Sequence, residues 1–188
     1  MATLSILQTY HRLSSYFVGA EDVMDAVVPP LWLDDVDFEH PDLVARHLAA
    51  GGDAAQRLRD GATLLHRVAG RSRHGDAAVA AAASALLEHG ADADAADAQG
   101  WTALMVAADA GRAAVVAALA ARGAAVDARN RAGGTALMVA RYAGQDACAS
   151  RLLDAGADAA VVDRAGHTAD DWAALRPRPR RGRRHLAR

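Results

Sequence analysis

The chain has 188 residues and a net charge of −2, and alanine inflates an apolar fraction of 52% in which aromatics supply only 4% of residues. Such a length suits one compact domain or one short repeat array, and such a composition suits thin, closely spaced helices while leaving little for a thick sandwich core. All 21 basic residues are arginine, the lone Cys148 excludes an internal disulfide, and no stretch approaches the ~18 consecutive apolar residues of a membrane span.

A single cysteine fits a reducing compartment, so a cytoplasmic location is expected. Charge is unevenly spread. Residues 176–188 hold seven arginines and no acid, which leaves residues 1–175 with a net charge of −9. An asymmetry of this kind bears on partners and not on fold.

In chain order, Met1–Val18 lacks a basic leader followed by a clean apolar stretch, so no secretory signal is expected. Ile6, Tyr10, Leu13 and Phe17 share one helical face, and Ala20–Val28 reads as a further helix cut short by Pro29 and Pro30. Residues 1–34 are therefore expected to form capping helices that cover the first end of a helical stack. His40 to Asp53 reads as the second helix of a degenerate first unit.

From there the chain repeats. Thr63, Thr102, Thr135 and Thr168 are spaced by 39, 33 and 33 residues, each with a glycine two positions earlier. A second series, Gly51, Gly90, Gly123 and Gly156, runs in phase with the same spacings. Periods of this length mark repeat architectures. After each Thr comes a short apolar run such as Ala103-Leu104-Met105-Val106-Ala107-Ala108, closed in that unit by Gly111. Val115, Val116 and Leu119 then recur at helical spacing as the buried stripe of a second helix. Gly90, Gly123 and Gly156 sit where a left-handed C-terminal cap is needed, and each Thr hydroxyl is placed to take up an orphan amide. About ten residues separate one unit from the next, enough for a projecting hairpin-like loop.

These residues carry a resemblance. The run from Asp97 through Trp101-Thr102-Ala103-Leu104-Met105, then Gly111 and Gly123, is similar to the ankyrin-repeat consensus, and Asn130 to Ala159 matches it landmark by landmark. The resemblance covers roughly residues 35–175 and implies an all-α repeat solenoid of helix–turn–helix units with projecting hairpin-like loops. Units are expected near 58–96, 97–129 and 130–162, with a truncated last unit at 163–175.

Departures from the family pattern are informative. Thr63-Leu64-Leu65-His66 keeps the family's histidine, whereas Met105 and Met138 replace it. His66 alone is expected to bond to its Thr and to a neighbouring backbone, leaving the Met units to rely on packing. The 39-residue spacing holds six extra residues. Three fall near Ser72-Arg73-His74 and three within Asp76 to Leu87, so that second helix is expected to be longer. Pro177 and Pro179 bar a second helix from the last unit.

His40 and His47 are seven apart with no carboxylate or thiol to complete a metal site, and no Cys/His spacing suits zinc. Cys148 lies in register with the stripe residue Val115 and reads as a small core residue. No enzyme activity, cofactor or metal is expected.

The resemblance implies that a protein partner would contact the loop tips and the concave face of the first helices. Carried over position by position, those places fall on Gln99, Trp101, Arg129, Arg131, Arg164 and His167 in the loops and Asp109 and Tyr142 on the helices. Trp101 has an equally good role in packing across onto the neighbouring loop. The tail from Arg176 cannot pack a core and is expected to be disordered. A basic tail binds nucleic acid by charge, and with no aromatic interleaved such contact is non-specific. No membrane contact is expected.

Overall fold

The computed structural model describes residues 41–58, 60–70 and 74–176. It contains α1 (Pro41–Ala49), α2 (Leu64–Ala69), α3 (Asp76–Glu88), α4 (Ala103–Ala110), α5 (Ala113–Ala121), α6 (Ala136–Ala143), α7 (Asp146–Asp154) and α8 (Ala169–Leu175). The expected capping helices of residues 1–34 and the tail from Pro177 onward lie outside the described residues.

Helices of six to thirteen residues are marginal alone, so their stability comes from stacking. They stack in two rows. The first helices α2, α4, α6 and α8 each pack on the next, as do the second helices α1, α3, α5 and α7, and α2–α3, α4–α5 and α6–α7 pack as pairs. The result is an all-α repeat solenoid. Its core is the seam between the rows, where Leu65, Leu86, Leu104, Met105, Leu119, Leu137, Met138 and Leu152 are fully buried. The long second helix expected from the 39-residue spacing is α3, with thirteen residues against nine in α5 and α7.

Position in the stack explains composition. Helix α5 is built wholly of Ala, Val and Leu because α3 covers one side and α7 the other. Helix α7, the last described in its row, keeps Cys148, Ala149 and Leu152 buried but exposes Asp146, Ser150, Arg151 and Asp154. A polar outer face is what a terminal unit needs.

The C-terminal caps form as expected. Beyond α5, Gly123 takes φ +84°, its amide reaches the Ala120 carbonyl at 3.0 Å, and the Ala124 amide reaches Leu119 at 3.2 Å. The threonines do less than expected. Thr135 accepts from the Met138 amide only at 3.5 Å and Thr168 from Asp171 at 3.4 Å. The buried Thr102 hydroxyl finds no hydrogen-bond partner among the described residues. Met105 stands where His66 bonds to the Thr63 hydroxyl, so Thr102 lacks the partner that Thr63 has.

Candidate binding face

Each repeat begins with a tight hairpin ending at its threonine. In all four, the residue five before Thr donates its amide to the carbonyl of the residue just before Thr. The pairs are Leu58–Ala62 at 2.7 Å, Asp97–Trp101 at 2.8 Å, Asn130–Gly134 at 3.0 Å and Asp163–His167 at 2.9 Å. In the last three hairpins the same residue closes the turn with its side chain. Asp97 Oδ1 accepts the amides of Gln99 and Trp101 at 2.7 and 2.8 Å. Asn130 Oδ1 accepts those of Ala132 and Gly134, both at 2.9 Å. Asp163 Oδ1 accepts those of Ala165 and His167 at 2.8 and 2.9 Å. Asp and Asn suit this because a short side-chain oxygen reaches backbone amides a few residues ahead. The sequence carries the signal as an Asx residue three before Gly100, Gly133 and Gly166, a role that the repeat spacing alone does not assign.

Neighbouring hairpins are stitched together. The Arg131 amide donates to the Gln99 carbonyl at 3.2 Å and the Arg164 amide to Ala132 at 3.1 Å. Arginine adds a second stitch in alternate repeats. Arg57 donates to Gly61 in its own hairpin at 3.0 Å and to Ala96 in the next at 2.9 Å. Arg129, in the same register, donates to Gly133 at 3.2 Å and to Val162 of the next hairpin. Expected at a binding tip, the Arg129 guanidinium is thus engaged in joining repeats.

The remaining expected residues separate into three places. Gln99, Arg131 and Arg164 lie in one exposed row along the hairpin tips. Trp101 is half-buried and packs against the core, and its carbonyl accepts from His66 Nε2 at 2.9 Å. The Thr63 amide donates to His66 Nδ1 at 3.1 Å, so Nδ1 carries the lone pair and Nε2 the proton. This is the bonding expected of His66, while Met105 and Met138 fill the equivalent places by packing.

The third place is the row of first helices. Tyr142 is 43% exposed and meets Trp172 edge to face with ring centroids 5.9 Å apart. Trp172 Nε1 donates to Asp163 Oδ2 at 3.0 Å, and His167 Nδ1 lies 3.4 Å from the same oxygen. One carboxylate therefore joins Trp172, His167 and their hairpin. The His167 amide most of all, with Trp172 and Ala165, holds the Asp163 carboxyl down at about 2 from its usual 3.8. The Thr168 amide and hydroxyl likewise lower that of Asp171. Asp109, further along the face, gives its carbonyl to Gln145 Nε2 at 3.4 Å.

Cys148 is buried, and burial first, then the Asp76 carboxylate, pushes its thiol up to about 11. A thiol so placed stays protonated and unreactive. Among the described residues, no three His, Cys, Asp or Glu side chains are grouped to hold a metal ion, and no helix is long and apolar enough to cross a membrane.

Comparison with known families agrees with this geometry. A model for ankyrin repeats in three copies matches residues 35–130, and a model for a single ankyrin repeat matches residues 132–164. No curated protein matches the chain.

Proposed function

Because the chain belongs to the ankyrin-repeat family, whose repeats are generally protein–protein interaction modules, we propose that it is an adaptor, scaffold or inhibitor. In this reading it grips a protein partner with its hairpin tips and the concave face of its first helices. The observation that supports this most is the division of labour within the hairpins. Asp97, Asn130 and Asp163 close the turns, and the Arg131 and Arg164 amides join them. The exposed side chains of Gln99, Arg131 and Arg164 are left with no hydrogen bond or ion pair to any described residue. Side chains on which the fold does not depend are free to vary with a partner. Asp109, Tyr142 and His167 extend the same face inward, and Trp101 stiffens its base.

A nucleic-acid role would draw on the arginines from Arg176 onward, and the net charge of −9 on residues 1–175 opposes it. Mild crosslinking in the native source, followed by mass-spectrometric identification of what is joined to the protein, separates the two. A protein partner whose recovery falls with Gln99→Ala/Arg131→Ala supports the proposal. Nucleic acid recovered without a protein partner contradicts it.

A further inference from the structure

Arg131 and Arg164 hold the same register, four residues before Thr135 and Thr168, and both are exposed. Both are also seated in the same way. A Cβ on Gly100 would come within 3.4 Å of the Arg131 Cγ, and one on Gly133 within 3.2 Å of the Arg164 Cγ. Each arginine therefore lays its stem across the glycine of the preceding hairpin, which has no side chain to lift it. The backbone amide of each is fixed at the same point, so its direction is set from both ends. A long side chain already laid down loses less freedom when it binds.

A third guanidinium stands beside this pair, since Arg129 Nη2 lies 3.3 Å from the same virtual Cβ on Gly133. Asp163, the acid of the Arg164 hairpin, is 8% exposed in its side chain and occupied by amides and Trp172. No described carboxylate pairs with Arg131 or Arg164. Two adjacent tips thus present unneutralised cations within residues 1–175, whose net charge is −9. The preceding hairpin has Ala98 in this register and adds no charge.

We infer that the ridge of Arg131 and Arg164 docks an extended acidic peptide segment of the partner protein, with carboxylates about three residues apart. The inference assumes that the hairpin tips are the binding face. Packed repeats stand about 10 Å apart, the separation of neighbouring helices. A polyproline-type chain returns to the same face every three residues, about 9 Å further on, so acids at that spacing meet successive arginines. The planar arginine fork suits a carboxylate in two parallel bonds.

The test uses the full chain at low salt and fluorescence anisotropy of a labelled Glu-Pro-Ala repeat peptide, with a Gln-Pro-Ala peptide as the neutral counterpart. Arg131→Glu/Arg164→Glu is compared with Arg46→Glu/Arg151→Glu, which changes charge equally at exposed positions on α1 and α7. Both variants keep the arginine-rich tail. The Glu peptide should bind the parent and the control, and the ridge variant should lose on the order of tenfold in affinity. The Gln peptide should not bind, and added salt should weaken the Glu complex. Equal binding by parent and ridge variant would overturn the inference, because the tail or another surface would then carry the peptide. An equal loss in the control would overturn it as well, leaving only long-range charge. If duplex DNA binds the parent through the ridge and the Glu peptide does not, the ridge reads phosphate and the inference falls. If the Glu peptide fails while the ridge variant still loses its native protein partner, the binding face stands and only the acidic segment is refuted.

Discussion

His66 of the first well-marked repeat and Trp101 of the next are joined by a 2.9 Å hydrogen bond from the His66 Nε2 to the Trp101 carbonyl. The bond crosses a repeat boundary from a buried histidine, 5% exposed, whose lost partners would leave polar groups poorly reached by water. His66→Met would give this repeat the side chain that Met105 and Met138 use in the others. It should lower stability by about 1–2 kcal/mol, because the Thr63 amide and hydroxyl lose their acceptor. Chemical denaturation of parent and variant measures this, and an unchanged midpoint would mean that packing alone holds the boundary.

Gly133 and Gly123 both take positive φ, +83° and +84°, but differ in what surrounds them. A Cβ on Gly133 would stand 2.9 Å from the Arg164 amide nitrogen, whereas one on Gly123 would meet nothing within 4 Å. Gly123→Ala should cost only the conformational strain, about 1–2 kcal/mol, and Gly133→Ala should cost more because backbone must also move. Gly123→Val adds a β-branched side chain to the same strain and should lower stability by roughly 1–3 kcal/mol. Thermal midpoints give the order. Equal losses for the two alanine variants would show that the hairpin stitch yields without cost.

The repeats, the glycine caps and the extended α3 were legible in the sequence because they follow from spacing and from what a helix end requires. The stitches were not, since whether Arg129 points outward or across to Val162 depends on contacts 33 residues apart. The register that Arg57 shares with Arg129, six before each threonine, was the available sign. Trp101 was undecidable for a related reason. Its exposure is set by the preceding repeat, where His66 and the core meet it, and no local pattern encodes that.

Asp163 offers a pH test. Its carboxyl is held at about 2 in the folded protein against an ordinary 3.8. A depressed folded value means that the ionised group stabilises the fold above pH ~4, and this contribution fades as pH falls toward about 2. Asp163→Asn imitates Asn130, keeps an acceptor for the Ala165 and His167 amides, and removes the charge. The variant's thermal midpoint should fall less steeply between pH 4 and 2 than the parent's. A parallel decline in both would show that other carboxylates control acid unfolding.

Arg129 and Arg131, two residues apart, should behave oppositely. Arg129→Ala loses bonds to Gly133 and Val162 and should cost about 1 kcal/mol of stability. Arg131→Ala should leave stability within about 0.5 kcal/mol and weaken partner binding. Trp101→Ala should destabilise by about 2 kcal/mol through lost packing, which sets it apart from the ridge. Denaturation and partner capture on the three variants would expose an exchange of these roles.

The claim that the hairpin tips form the binding face is tested most directly by site-specific photo-crosslinking. A photoreactive residue placed at Gln99, at a hairpin tip, is compared with one at Ser150, exposed on the outer face of α7. Crosslinks to the native partner from position 99 and none from position 150 are the predicted result. Crosslinks from position 150 alone would contradict it and place the partner on the second-helix row.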